Sequence, residues 1–386
     1  MTRSAFVSTY PPRQCGIATF TQHLATAVGG REIVALHPSD LPTPYPLEVH
    51  HRLRVTEPEE FPRTAATLRG CADVVSIQHA FGIWGPDDTA VLEFASALEV
   101  PAVATLHDVP AEPTPEQHRV ISGLTSSVAQ TVALSQAAAV LLGDVYGVRA
   151  STVTVIPHGI PDLPFLDAET VKPAVGMTGR DVLLSFGLLA PGKGIELALD
   201  ALPAIIADRP TTMYVVLGIT NPNLAPEAAA AYRASLVAKV GKLGLGGHVQ
   251  FIDRFVGRVE LTRWLEAADV IVAPYADPGK SASGTLPYAM GAGRPVVATD
   301  FAHAREILAD GRGILVPHGD PAALATEIVR LLADADARVA MGRLAHEHSR
   351  SMTWWQVGAR HRELLVRVAS APVPRRDARR PPGRMA

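Results

Sequence analysis

Cysteine is nearly absent: Cys15 and Cys71 are the two in a chain of 386 residues. That excludes a disulfide scaffold and a multi-cysteine zinc site, and it suits a reducing compartment. Aromatic residues make up 5% of the chain. No run of about 18 consecutive apolar residues occurs, so no transmembrane helix is expected. The opening residues, Met1-Thr2-Arg3-Ser4-Ala5-Phe6-Val7, lead straight into a strand-like segment, with no apolar signal core and cleavage site. A soluble, cytoplasmic protein is the expectation. A positive charge excess is missing too. Thirty-five Lys and Arg against 38 Asp and Glu leave a formal charge of -3, so nucleic acid is not expected as a partner. What the chain does have is apolar substance, 47% and rich in Ala, Val and Leu. That excludes a largely disordered protein and supplies the cores of two or three domains.

Short apolar runs alternate with longer helical patterns. Ala5 to Ser8, Ile33 to Leu36, Val74 to Ile77, Ala102 to Leu106, Thr131 to Leu134 and Thr152 to Ile156 read as buried strands. After a turn-rich pause a second series follows: Val182 to Phe186, Thr212 to Leu217, Val249 to Phe251, Val270 to Ala273, Pro295 to Ala298 and Gly313 to Val316. Strands alternating with helices imply parallel βαβ units. The expected class is α/β, with two Rossmann-like domains in tandem: 1–165, a linker at 166–180, and 181–352. A long helix at 353–369 carries Trp354 and Trp355, and a basic tail at 370–386 is expected to be disordered.

In parallel α/β sheets ligands bind beyond the carboxyl ends of the strands, so the loops there carry the chemistry. In Tyr10-Pro11-Pro12-Arg13-Gln14-Cys15-Gly16, Gly16 opens a helix. It either lets a ligand approach free backbone N–H groups or simply makes a tight turn. His79, His107 and His158 each follow a strand end. They converge on one cleft, or they are separate core histidines, or they hold a metal; the last is a weak zinc pattern. In Gly187-Leu188-Leu189-Ala190-Pro191-Gly192-Lys193-Gly194, Lys193 suits a phosphate. The spacing imitates a Walker loop until Gly194 stands where Ser or Thr would hold magnesium. A solvated lysine is the other reading. Ser283, Gly284, Thr285 and Leu286 begin a helix and offer amides and hydroxyls to a diphosphate, or Ser283 merely caps it. Glu306 is a sugar-hydroxyl ligand or a helix-end carboxylate. Asp334-Ala335-Asp336 lies in a helical stretch rather than after a strand, and is set aside as a metal motif.

Taken in order, these loops resemble the retaining family 4 group of GT-B nucleotide-sugar glycosyltransferases, over about residues 4 to 367. The resemblance rests on the loop around Gly16, on His107, on Val155-Ile156-Pro157-His158-Gly159, on Gly187 to Gly194, on Ser283 to Thr299, and on Glu306 with Gly311-Arg312-Gly313. It implies a nucleotide held by the C-terminal domain, an acceptor by the N-terminal one, and 353–369 as a helix crossing back onto the first domain. It also implies hexosyl transfer from a nucleoside diphosphate sugar to a carbohydrate or lipid-linked acceptor, without metal or resident cofactor. Lys193 and His107 would be catalytic. Gly16, Gly192, Ser283, Gly284, Thr285, Leu286, Tyr288 and Glu306 would bind donor, and His79 and His158 would line the acceptor pocket.

Two departures stand out. Many relatives carry two Glu spaced by seven residues, and those positions are Lys280 and Tyr288 here. The arginine that often precedes the loop lysine is Leu188, leaving Lys280, Arg254 or Arg258 to supply that charge. Gln78-His79 and Phe81-Gly82-Ile83-Trp84-Gly85 resemble a subgroup associated with bacterial mannoside metabolism. GDP-mannose and UDP-glucose are both reasonable donors. The missing ribose carboxylate leaves room for a glycoside phosphorylase, for a non-catalytic sugar- or nucleotide-binding protein and, less readily, for a sugar-nucleotide epimerase. The basic tail would permit weak attraction to an anionic membrane surface.

Overall fold

The computed structural model describes residues 2–30, 32–38 and 44–371. The first half runs β1 (Ser4–Ser8), α1 (Gly16–Val28), β2 (Glu32–His37), β3 (Val49–Arg54), α2 (Glu60–Cys71), β4 (Val74–His79), α3 (Ala90–Ala97), β5 (Ala102–Leu106), α4 (Pro115–Ser127), β6 (Gln130–Ala133), α5 (Gln136–Asp144) and β7 (Val153–Val155). A short helix, α6 (Ala168–Val171), lies in the connector. The second half runs β8 (Asp181–Phe186), α7 (Ile195–Asp208), β9 (Thr212–Leu217), α8 (Pro226–Lys242), β10 (Val249–Ile252), α9 (Arg258–Ala267), β11 (Val270–Ala273), α10 (Thr285–Gly291), β12 (Val296–Thr299), α11 (Ala302–Ile307), β13 (Ile314–Val316), α12 (Pro321–Ala333), α13 (Ala335–Ser349) and α14 (Trp354–Ser370).

Two parallel sheets result, ordered β3-β2-β1-β4-β5-β6-β7 and β10-β9-β8-β11-β12-β13. This is the α/β, two-sheet Rossmann-like architecture of the GT-B fold. Strands β4 and β11 are buried along their whole length, as strands covered by helices on both faces must be. The order reverses between β1 and β4 and again between β8 and β11. Each reversal opens a crevice at the carboxyl edge. The loops after β1, β4, β5, β8 and β11 all leave from those edges.

One strand lies outside the sequence expectation. β3 reads Val-His-His-Arg-Leu-Arg, and only Leu53 in it is buried. It is an edge strand, so polar residues suffice and no apolar run announces it. The Phe81-Gly82-Ile83-Trp84-Gly85 stretch has a packing role. Trp84 is fully buried between Phe61 and Phe94, and its Nε1 donates to the Gln78 carbonyl at 3.1 Å.

The connector is more than a tether. Lys172, 1% exposed, pairs with Asp269 at 2.8 Å and with Glu169. Asp269 also accepts from the Val182 backbone N–H at 2.7 Å. At the other end α14 lies along α1. Arg362 donates to the carbonyls of Ala27 and Val28, and Gly358 sits so close to Ala27 that a Cβ would come within 2.5 Å. Among the described residues no helix is long and apolar enough to cross a membrane. The basic tail falls almost entirely outside the described residues.

Candidate active site

The C-terminal sheet presents two lysines on one tyrosine. Gly194 caps α7 with φ +71, and a Cβ there would fall 1.6 Å from the Pro274 carbonyl oxygen. Only glycine allows the loop after β8 to lie so tightly on the end of β11. Lys193 is thereby held over the Tyr275 ring, Nζ 4.7 Å from its centroid, with Lys280 Nζ at 5.8 Å. The Tyr275 hydroxyl donates to Thr285 Oγ1 at 2.8 Å and meets Ser283 Oγ at 3.4 Å. Burial alone would raise the Tyr275 pKa. Lys193, the hydrogen bonds shared with Ser283 and Thr285, and Lys280 outweigh it and bring the phenol below its ordinary value.

The start of α10 differs from a simple cap. Gly284 holds the cap position, with no side-chain bond. The Ser283 backbone N–H donates to His303 Nδ1 at 3.0 Å, so that amide is already engaged. The amides of the first turn that follow have no partner within the helix. Leu286 is fully buried and can offer a ligand only its backbone.

The N-terminal sheet answers with histidines. His107 Nε2 lies 2.9 Å from Gln78 Oε1, while Gln78 Nε2 donates to Ser76 Oγ at 3.1 Å. An amide oxygen only accepts. Nε2 of His107 therefore carries the proton, and Nδ1 keeps its lone pair. His158 Nδ1 donates to the Gly159 carbonyl at 2.8 Å, and its Nε2 faces Gly284, where a Cβ would stand 3.0 Å away. Phe20 gathers the rings: His107, His158 and Trp354 lie 4.6, 4.9 and 5.2 Å from it. Tyr288 meets His158 edge-on at 5.8 Å, and burial pushes its hydroxyl up to about 12. His79 is fully buried, edge-on to Phe81, and neither of its nitrogens has a protein hydrogen-bond partner.

Gly16 differs from Gly187, Gly192 and Gly194 in the lysine loop, which all have positive φ. Its φ is not positive, and a Cβ there would meet nothing within 4 Å. Neither the turn nor the packing requires glycine, and the Cys15 thiol already caps α1 by accepting from the Ala18 N–H. That removes the support for the tight-turn reading and leaves an open face at the start of α1.

Across the cleft the domains are in contact. Ser135 Oγ donates to the Ser281 carbonyl at 2.6 Å, and Ser281 Oγ donates to the Val109 carbonyl at 2.9 Å. Glu306 sits on α11, and its carboxylate accepts the N–H groups of Gln136 and Ala137 at 2.8 and 2.9 Å. These are first-turn amides of α5, where a negative charge is favoured. Asp108 faces Lys280, Asp277 and Lys193, and burial raises its pKa despite the lysines. The cavity beside Lys193, lined also by Ser185, Leu188, Tyr275 and Thr285, measures about 10 Å³. It holds about one water, and every residue lining it belongs to the C-terminal half.

The buried histidines make a testable statement about pH. Burial lowers His79, His158 and His361 to about 4 and His303 to about 3; it also takes His107 well below the usual range, helped by His158, His79 and His361. In the unfolded chain such rings protonate near 6.5. Between about pH 6.5 and pH 4 the unfolded state therefore binds more protons, and stability rises with pH. Each group contributes up to about 1.4 kcal/mol per pH unit there. Denaturant midpoints should drop steeply from pH 6.5 to 4.5, and His361→Asn should flatten the slope. An unchanged slope in that variant removes His361 from the effect.

The structure thus brings Lys193, Ser283, Gly284, Thr285, Tyr288, His107 and His158 to the facing edges of the two sheets. Glu306 is engaged with α5, and Gly192 lies exposed in the lysine loop, its carbonyl accepting from Ala276. Of the three groups offered for the missing arginine, Lys280 is the one beside Lys193, whereas Arg254 is committed to Glu260 at 2.6 Å. Tyr275, Asp108, Gln78 and His303 went unassigned from sequence. Tyr275 and Asp108 directly follow a strand end and a site histidine, which was the available signal. Asp334 caps α13, in keeping with setting the Asp-Ala-Asp run aside.

Comparison with known proteins follows the same division of the chain. Residues 180–334 match the family described as Glycosyl transferases group 1, and residues 16–162 match Glycosyltransferase Family 4. A phosphatidyl-myo-inositol mannosyltransferase of Mycolicibacterium smegmatis is 29% identical over 217 residues, 56% of this chain and 52% of that protein. A D-inositol 3-phosphate glycosyltransferase of Corynebacterium efficiens is 30% identical over 203 residues, 50% of this chain and 46% of that one. The chain thus spans about half the length of the curated relatives it matches. Among solved structures, HepE of Anabaena in complex with UDP and glucose superposes with a TM-score of 0.78 at 19% identity, covering 95% of this chain and 100% of that one.

Proposed function

This chain belongs to the family 4, group 1 glycosyltransferases of GT-B fold, and on that premise we propose that it moves a hexosyl group from a nucleoside diphosphate sugar to an acceptor hydroxyl. The observation that carries the reading is Lys193 and Lys280 together on Tyr275, facing Asp108 across the cleft. As the bond from the anomeric carbon to the diphosphate oxygen breaks, negative charge grows on the leaving group. Two fixed ammonium groups in a water-poor cleft stabilise that charge. They supply it from side chains, so metal-independent transfer is part of the proposal, as is retention at the anomeric carbon. His107, neutral with its Nδ1 lone pair available, accepts a sugar hydroxyl.

Likeness to the mannosyltransferase favours mannose, likeness to HepE makes glucose with UDP the second candidate, and both inositol-named relatives suggest a polyol acceptor. The proposed setting is the cytoplasm. A thermal-shift panel of nucleoside diphosphates, their hexose conjugates and inorganic phosphate tests the donor side, because ligand binding raises the melting point. The expected result is a selective rise with one nucleotide series. A rise with phosphate alone turns the assignment to a phosphorylase, and no rise at all to a non-catalytic protein. Gly16→Val sharpens the test. It should melt as the parent does, since a Cβ there meets nothing within 4 Å, yet lose the nucleotide-sugar shift. A retained shift takes Gly16 out of the donor site.

A further inference from the structure

Away from the cleft, Glu32, His51 and Cys71 bring a carboxylate oxygen, an imidazole nitrogen and a thiol sulfur within 4.8 Å of one another. They come from three elements: the first residue of β2, the middle of β3, and the last residue of α2. His51 Nε2 lies 3.2 Å from Glu32 Oε1, and His50 Nδ1 lies 3.7 Å from the same oxygen. Consecutive strand residues ordinarily face opposite sides of a sheet. Here the register slips: Ile33 pairs with Val49 and Val34 with His51, so His50 is an inserted residue. A bulge re-aims side chains, and this one lets two successive histidines reach one carboxylate.

Metal bonds of about 2.0–2.3 Å in a tetrahedral site put neighbouring ligand atoms roughly 3.3–3.8 Å apart, close to the two separations above. A nitrogen, a sulfur and an oxygen donor suit a borderline-soft ion and disfavour magnesium or calcium. We propose that Glu32, His51 and Cys71 bind a zinc-class divalent cation, with His50 or a water completing the tetrahedron. On binding, the Cys71 thiol gives up its proton to solvent and the thiolate joins the metal, while the carboxylate and the neutral imidazole bind unchanged. Glu32 begins β2, Cys71 lies just before β4 and His51 is in the first half of β3, away from the edge where the cleft loops emerge. The ion therefore ties the β2–β3 edge to α2 and takes no part in transfer.

Cobalt(II) titration of the purified, metal-stripped chain is the test. The expected result is one equivalent bound, with a thiolate-to-cobalt charge-transfer band that zinc displaces. Cys71→Ser should abolish the band, and Cys15→Ser should keep it. His51→Ala should lower affinity by more than the roughly tenfold to hundredfold that loss of an outer-shell partner costs. Zinc should raise the melting point of the parent but not of His51→Ala, with circular dichroism confirming that each variant is folded. Binding without the charge-transfer band, a band that survives Cys71→Ser, an affinity unchanged in His51→Ala, or no stoichiometric binding each overturns the proposal.

Discussion

Lys193→Ala is expected to lower kcat roughly tenfold to a thousandfold, the effect of losing one preorganised charge contact to a transition state. The melting point should barely move, because Lys193 Nζ touches the face of Tyr275 rather than filling a core position. A second readout separates the role from general damage. Lys193 helps hold the Tyr275 phenol below its ordinary pKa, so its removal should shift the tyrosinate titration upward. Lys280 remains above the same ring, and the double alanine variant should be slower than either single one. Near-normal turnover in Lys193→Ala would take this lysine out of the reaction.

Lys172→Met should cost about 3–5 kcal/mol, because it strands a buried carboxylate. Asp269 has a 5% exposed side chain and is the partner left behind. Methionine keeps much of the lysine stem's volume, so the loss reports the charge rather than a cavity. Adding Asp269→Asn should recover much of it, since the amide oxygen can still accept from the Val182 N–H. Urea unfolding of the four chains gives the coupling energy directly. An unchanged midpoint in Lys172→Met would mean that the pair contributes nothing net.

This pair also shows where reading the chain stops. Twelve strands were legible because short, apolar runs alternating with helical patterns read as parallel strands, even at the edges β7, β10 and β13, which are only partly buried. β3 was not, because an edge strand carrying His50, His51, Arg52 and Arg54 has no apolar signature. The connector looked unstructured because a lysine is expected at the surface. Nothing local announces that Lys172 meets a carboxylate 97 residues later. In the site, His107 was legible because it directly follows β5, and Lys193 because it sits between glycines in the loop from β8 to α7. His303 was not, because its link to the Ser283 amide exists only once α11 folds back beside α10. Glu306 was left between two roles for a similar reason. Its partners lie 170 and 169 residues upstream in the other sheet's helices.

That Glu306 bond has an energetic consequence for the donor. A carboxylate on first-turn amides, with the two serine bridges beside it, favours the arrangement in which the two sheets' loop edges are held together. If the proposed donor enters only once these contacts break, its apparent affinity is its intrinsic affinity scaled by the fraction of molecules in which they are broken. In the proposed reaction the same contacts would hold water away from the anomeric carbon once the sugar is inside. Hydrolysis and capture of the proposed donor would then be set by one equilibrium, and a change that loosens the clasp is expected to raise both together.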